Sequence, residues 1–463
     1  AGAARQEELL RLSHSSGMRV IGPNCMGIVC TDPGIRLSAT FAPTPPRSGR
    51  VAFMSQSGAL GLAIMDYSSQ LGIGLHSFVS VGNKADISGT DLLRFWSDEP
   101  EVDVILLYLE SFGNPRKFSR IARRVARRKP IVAVKSGRSP AGARATGSHT
   151  GALLAASDTT VDALFRQCGV IRTDTLEEMF DVAALLAHQP APRGPRVAIV
   201  SNAGGPGILC ADACAAEGLS VPRLSQETRA SLGDILPPEA SIENPVDMIA
   251  SASPDNFRAV VEVLGHDPDI DAVIVIFVPP LITGADDVAD AIVDAARTLR
   301  DRTTTLLTVF MQSRGMPERL ATPHLRIPSF AFPESAAIAL ARTARYGAWL
   351  ARDEEDPWVP DDVRTEEVAS VLAAALERGD EWLGPEDVGA VLDCFGLSMI
   401  DQRWCGDAAE VSEAAAAMGG TVALKAMGSA LVHKTEMGAV ALDVLATEAG
   451  DAAAAMAARL GER

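Results

Sequence analysis

Arg50-Val-Ala-Phe-Met-Ser-Gln-Ser-Gly58 returns 146 residues later as Arg196-Val-Ala-Ile-Val-Ser-Asn-Ala-Gly204. Each copy reads as a short apolar strand, a Gly-containing turn and the start of a helix. The likeness runs on past the turn. Arg50, Val51, Ala52, Ser55, Gly58, Gly61, Asp66 and Gly72 are matched by Arg196, Val197, Ala198, Ser201, Gly204, Gly207, Asp212 and Gly218. Further apolar runs at 102–109 and 131–134 are echoed at 272–278 and 305–310. Continuous apolar strands alternating with helical stretches imply a parallel sheet covered on both faces. Self-similarity at a fixed offset predicts two tandem copies of one α/β domain.

Outward from this repeat, residues 18–29 read as a strand followed by a Gly-Pro turn, and 42–49, with Pro43, Pro45 and Pro46, as a linker. The stretch 353–362 is acidic and contains Pro357 and Pro360, which marks a second linker. Beyond it, 385–395 reads as a helix, 421–426 and 439–444 as strands, and 433–438 as the turn between them. The chain opens and closes inside helical patterns and does not begin with Met, so it is expected to be a piece of a longer protein.

The 463 residues suggest about three domains. Hydrophobic residues are 47% but aromatics only 5%, so the cores must be aliphatic. Forty-two basic against 59 acidic residues leave a net charge of −17, which argues against a nucleic-acid or acidic-membrane partner. Anionic ligands would have to be held locally, by devices such as helix N-termini. Arg116, Lys117, Arg120, Arg123, Arg124, Arg127, Arg128 and Lys129 crowd one helix, and with the net charge of −17 they read as a solvated face. Seven cysteines show no zinc spacing, and an odd number in a long chain fits a reducing cytoplasm better than a disulfide framework. No apolar run reaches the roughly 18 residues of a membrane helix.

A strand, a Gly-rich turn and a helix make a ready anion site, because the first-turn N–H groups point at the ligand. Ser55, Gln56, Ser57 and Gly58 supply one such turn; Asn202, Ala203, Gly204 and Gly205 supply the other. The same sequences also suit an ordinary β–α turn with no ligand. Gly147-Ser-His-Thr-Gly151 places His149 on a small-residue loop after the third strand, at the sheet edge where ligands of open parallel sheets gather. A loop imidazole there is either solvent-exposed or a nucleophile and phosphoryl carrier. Glu110 ends the second strand at the same edge, where a carboxylate accepting from one ring nitrogen leaves the other free to attack. Cys25, beside Asn24, suits either a buried structural position or the vicinity of a thioester.

Seven segments occur in order: 22–27 (Gly-Pro-Asn-Cys-Met-Gly), 55–61, 81–84 (Val-Gly-Asn-Lys), 108–110, 148–152 (Ser-His-Thr-Gly-Ala), 202–207 and 244–247 (Asn-Pro-Val-Asp). The ordered set resembles the ADP-forming (NDP-forming) acyl-CoA synthetases of the succinyl-CoA ligase superfamily. Residues 422–444 resemble the start of that family's ATP-grasp part. The resemblance implies two flavodoxin-like domains at 44–190 and 191–350. It also implies a remnant of a CoA-binding domain at 1–41, an acidic linker at 351–380, and the N-terminal part of an ATP-grasp domain at 381–463. The implied reaction interconverts acyl-CoA, ADP and phosphate with a carboxylic acid, CoA and ATP. His149 would be the phosphohistidine and Glu110 its orienting carboxylate. Residues 55–58 and 202–205 would be the two phosphate cradles, Lys425 a contact to nucleotide phosphate, and His433 a second relay histidine. Asn24 and Cys25 would lie near CoA, and the Mg2+ ligands outside this chain. The complete enzyme would be a homo-oligomer. The alternative is a regulatory module of a fused protein acetyltransferase that binds acyl-CoA without ligation. Such a sensor would be expected to have lost the histidine kept at position 149.

Overall fold

A computed structural model describes residues 2–139, 141–142, 158–280, 283–299, 304–312, 317–322, 325–353, 362–380, 383–427 and 438–461. His149 and His433 lie outside the described residues. The chain divides into two units, 1–353 and 354–463.

In the first unit, one sheet is built from β1 (Gly27–Cys30), β2 (Leu37–Thr40), β3 (Ser48–Ser55), β4 (Leu75–Ser80), β5 (Val104–Leu109), β6 (Ile131–Lys135) and β7 (Val170–Thr173). Their spatial order is β2-β1-β4-β3-β5-β6-β7. The neighbours from β4 to β7 pair in parallel, whereas β1 and β2 add antiparallel strands at the β4 edge. A second sheet, all parallel, has the order β12-β11-β10-β8-β9. Its strands are β8 (Val197–Ser201), β9 (Val246–Asp247), β10 (Ala272–Phe277), β11 (Thr305–Phe310) and β12 (Ser329–Phe330). Counted along the chain, the parallel strands of both sheets follow the flavodoxin-like order 2-1-3-4-5. That order puts a topological switch point between the first and third strands, β3/β5 and β8/β10.

The central strands are apolar throughout because helices cover both faces: residues 51–54 and 197–200 are at most 1% exposed. The helices after the two turns are Gly58–Gln70 and Gly204–Ala216, 146 residues apart at both ends. Each first-to-third strand pair is also clamped at its N-terminal end. The Arg50 guanidinium reaches Asp103 (Nη2 to Oδ1, 2.8 Å) and Glu101 (2.7 Å). Its counterpart Arg196 reaches Asp271 (Nε to Oδ2, 2.9 Å) and Asp269 (3.2 Å). Leu340 and Trp349, on the helix Pro333–Leu350, share one buried cluster with Phe180 and Val197, which ties the two sheets into one unit.

Several local expectations are corrected. Residues 18–26 do not form a strand: Val20 donates its N–H to the Asp86 carboxylate and accepts from Ile87, and Gly22 and Asn24 take positive φ, so the ladder starts only at Gly27. β4 has no counterpart in the sequence reading, because His76, Ser77 and Ser80 break its apolar pattern, yet all six residues are buried. Within the stretch read as linker, Thr365–Glu377 forms a helix.

In the second unit, β13 (Thr421–Lys425) and β14 (Val440–Leu445) pair antiparallel. They accompany the helices Pro385–Cys394, Ala408–Met418 and Ala449–Gly461. Gly438 takes the left-handed φ of +69° that opens β14, which leaves Ala439 an ordinary, fully buried position. Lys425 ends β13 with its side chain exposed.

Candidate functional site

Ser55 ends β3, and its hydroxyl folds the chain back on itself. Oγ donates to the Ser57 carbonyl (2.7 Å) and accepts from the Ser57 N–H (3.2 Å). Ser201 does the same to Ala203, at 2.7 and 3.0 Å. Ser57 and Ala203 are then the N-caps of their helices, both extended, and neither side chain caps the first turn. The first N–H groups of a helix have no intrahelical partner, so each turn presents donors at the switch point.

The residue between is a staple. Gln56 is 6% exposed. Its Nε2 donates to the Ser111 carbonyl (2.7 Å), and its Oε1 accepts from the N–H groups of Glu110 (2.8 Å) and Ser111 (2.9 Å). Asn202 repeats the device one bond shorter, donating to the Val278 carbonyl (2.8 Å) and accepting from its N–H (2.9 Å). In each domain an amide side chain locks the end of the first strand to the residues following the third. The side chains of Gln56 and Asn202 are therefore occupied, and an anion at either turn would meet backbone N–H groups.

Glu110 sits at this edge, 8% exposed, directly after β5. Two ammonium groups flank it, and the sequence reading assigned neither a role. Lys84 comes from the turn after β4; its Nζ donates to Ser111 Oγ (2.5 Å) and lies 3.4 Å from the Ser111 carbonyl. Lys135 ends β6 and donates to the Ser136 carbonyl. Burial holds both lysines below the usual lysine range; Glu110 opposes the shift in each, and Lys135 adds to that of Lys84. The signal for Lys84 was present in Val81-Gly-Asn-Lys84, whereas nothing around Lys135 marks it.

The loop 22–26 closes the same edge, because β1 runs antiparallel to β4 and Gly27 pairs with Ser80. Met26 N–H donates to Ser80 Oγ (3.0 Å), and a Cβ on Gly58 would fall 2.8 Å from Met26 Cγ. Asn24, with φ +57°, reaches Asn83 at 3.5 Å, and Cys25 Sγ donates to the Ile21 carbonyl (3.6 Å). Residues 22–26, 55–58, 81–84 and 109–111 thus meet at one switch point. Lys425 belongs to the other unit.

A cavity of about 420 Å³ lies at the opposite, N-terminal edge of the second sheet, lined by Arg193, Arg196, Asp267, Asp271 and Thr304. It sits against the Arg196–Asp271 clamp. Among the described residues no group of three or more His, Cys, Asp or Glu is placed to hold a metal ion, and no helix is long and apolar enough to cross a membrane.

Three family models match in succession: a succinyl-CoA ligase-like flavodoxin domain over residues 48–186, a ligase-CoA domain over 197–315 and an ATP-grasp domain over 374–463. The alpha subunit of an ADP-forming acetate–CoA ligase II from Pyrococcus furiosus is 40% identical, covering 74% of this chain and 75% of its own length. An ADP-forming acetate–CoA ligase I from Archaeoglobus fulgidus is 34% identical over 96% of this chain, which spans 63% of that relative's length. A dinucleotide-forming acetyl-coenzyme A synthetase 1 from Ca. Korarchaeum cryptofilum, solved with phosphate and ADP, is 35% identical. It superposes with a TM-score of 0.68, covering 74% of this chain and 75% of that one.

Proposed function

The chain belongs to the family of ADP-forming acetate–CoA ligases, and on that premise we propose that it carries the phosphoryl-transfer stations of an acid–CoA ligase. In the proposed cycle, phosphate attacks the acyl-CoA thioester, releasing CoA and forming an acyl phosphate. The imidazole of His149 then takes the phosphoryl group and frees the carboxylic acid. The phosphoryl group passes last from the imidazole to ADP, regenerating neutral His149 and forming ATP. Residues 55–58 cradle the phosphoryl group at the first station and residues 202–205 at the second. Glu110 orients the His149 ring, and Lys425 and His433 serve the nucleotide end.

The observation that carries the reading is the atomic duplication of one anion-presenting turn at two switch points. Ser55 and Ser201 make the same two bonds, Gln56 and Asn202 staple the same two strand ends with three bonds and two, and Gly58 and Gly204 begin the two helices. A carrier that moves a phosphoryl group between two sites needs two such cradles. The relatives are named ADP-forming acetate–CoA ligases, and the Korarchaeum cryptofilum synthetase was solved with phosphate and ADP, which supports CoA, nucleotide and phosphate as the substrates proposed here.

The test is labelling of the intact protein with radioactive phosphate in the presence of acetyl-CoA, followed by addition of ADP. Acid-labile label that passes to ATP and is lost in His149→Ala is the expected result. Label retained in His149→Ala would refute the carrier role. Acyl-CoA binding with no label in the wild type would replace the ligase by an acyl-CoA-binding regulatory module.

A further inference from the structure

The two turns share one backbone, so any difference between them marks what only one station needs. Val81 N–H donates to the Ser55 carbonyl (2.9 Å) and Met248 N–H to the Ser201 carbonyl (2.8 Å), which fixes the correspondence of the loops after β4 and β9. Gly82 and Ile249 follow in register, with φ of +49° and +57°. Two residues further on, the first loop has Lys84 and the second has Ser251. From there the loops part: Lys84 donates its N–H to the Val81 carbonyl, whereas in the second loop Ala252 donates to the Ile249 carbonyl, so the lysine and its conformation belong to the first domain alone.

Lys84 is also placed at some expense. It takes a φ of +55°, a conformation that non-glycine residues avoid, and its ammonium is half-buried. The chain of Lys84 crosses from β4, past β3, to Ser111 beyond β5. Its Nζ thus reaches the far side of the switch point, onto the residue that Gln56, the neighbour of the helix N-cap Ser57, holds by its backbone. Ser111 is itself held in place by Gln56 on both its N–H and its carbonyl.

We propose that Lys84 Nζ and Ser111 Oγ, with the helix start at Gly58, form the binding site for the phosphate co-substrate. This rests on the ligase reading and names the cation at its first station. Charge magnitudes favour it. A doubly charged phosphate meets only about half a positive charge at a helix N-terminus. Lys84 and Lys135 outnumber the one carboxylate they flank, Glu110, so this edge keeps a net positive charge at a partly desolvated position, where charge-assisted bonds are strongest. In the proposed cycle Lys84 stabilises the attacking phosphate and neither gains nor loses a bond to it.

The experiment measures ATP formation by the intact protein from acetyl-CoA, ADP and inorganic phosphate, with Lys84→Met and Lys84→Arg beside the wild type. Loss of a charged hydrogen bond predicts a rise of about tenfold or more in KM for phosphate in Lys84→Met. KM for ADP should stay within about twofold, and Lys84→Arg should recover much of the phosphate affinity. Melting curves report whether Lys84→Met folds; if it does not, Lys84→Arg against wild type and their phosphate pH profiles decide. An unchanged KM for phosphate, or equal rises for phosphate and ADP, overturns the proposal while the ligase reading stands. Absence of ATP formation in the wild type sinks the ligase reading instead. Calorimetry with inorganic phosphate then judges the site alone: weaker binding in Lys84→Met supports it, and equal or absent binding in both proteins overturns it.

Discussion

Gln56→Ala should loosen the first switch point more than any substitution of equal size at the second. Gln56 makes three bonds to backbone groups, at 2.7, 2.8 and 2.9 Å, in a position 6% exposed. At about 1 kcal/mol net for each, the loss is about 3 kcal/mol. Two stranded N–H groups add to this, and water entering the crevice offsets part of it. Asn202→Ala breaks two bonds, both to Val278, and should lose about 2 kcal/mol. A global melt does not say which amides are released, so the assay is amide hydrogen exchange. In Gln56→Ala, the amides of Glu110 and Ser111 should exchange about a hundredfold faster, since each 1.4 kcal/mol is a factor of ten. The Val278 amide should be unaffected there and speed up only in Asn202→Ala. Unchanged exchange at Glu110 and Ser111, or equal effects of both variants at all three amides, would refute the staple.

Two further substitutions have defined outcomes. Gly82→Ala should cost more than about 3 kcal/mol of melting stability, because a Cβ there would lie 2.2 Å from the Asn24 carbonyl oxygen and 2.3 Å from that of Pro23 at a φ of +49°; Gly205→Ala, with nothing within 4 Å, should melt like the wild type. Burial, with Glu177 and Glu178 beside it, raises the Asp181 carboxyl to about 7, so the fold favours its protonated form; that contribution is complete below the usual carboxylate range and is lost as pH rises through about 7. Asp181→Asn should therefore match the wild type at pH 4 and be more stable by about 2 kcal/mol at pH 8, in urea unfolding at the two pH values.

The repeat was legible because it is written in residues the backbone itself requires. Ser55 and Ser201 fold their turns with a single hydroxyl, and Gly58 and Gly204 begin helices where Met26 Cγ and Asp247 Oδ2 leave little room for a Cβ. Glu110 was placed at the right edge because it follows an unbroken apolar strand. β4 was not legible: His76, Ser77 and Ser80 are buried polar residues, and Ser80 spends its hydroxyl on Met26, a partner 54 residues away. The roles of Gln56 and Asn202 were hidden for a related reason. A polar residue in a Gly-rich turn reads as a ligand contact, and only the third strand, far along the chain, shows that its hydrogen bonds are already used. Lys84 and Lys135 likewise gain meaning only from sheet order, which brings residues from β4, β5 and β6 around one carboxylate.

Duplication explains the resemblance of the two turns; their differences carry the direction of transfer on the proposed reading. The backbone cradles are the same, so N–H donors alone would hold a phosphoryl group equally well at both. The side chains around them differ in net sign. At the first switch point the Lys84 and Lys135 ammonium groups flank the single carboxylate of Glu110. Beside the second stands the Asp247 carboxylate, whose Oδ1 accepts from Ile249 and whose Oδ2 would lie 3.0 Å from a Cβ on Gly204. On the proposed reading a free phosphate would favour the first turn over the second. A carrier that brings its phosphoryl group to the second turn arrives where the group is held by the same donors but lacks a lysine in the corresponding loop, which makes surrender to an acceptor easier than at the first. On that reading the preference for binding at one end and for release at the other would come from Lys84, in the loop after β4, and Asp247, the last residue of β9, set beside one repeated turn.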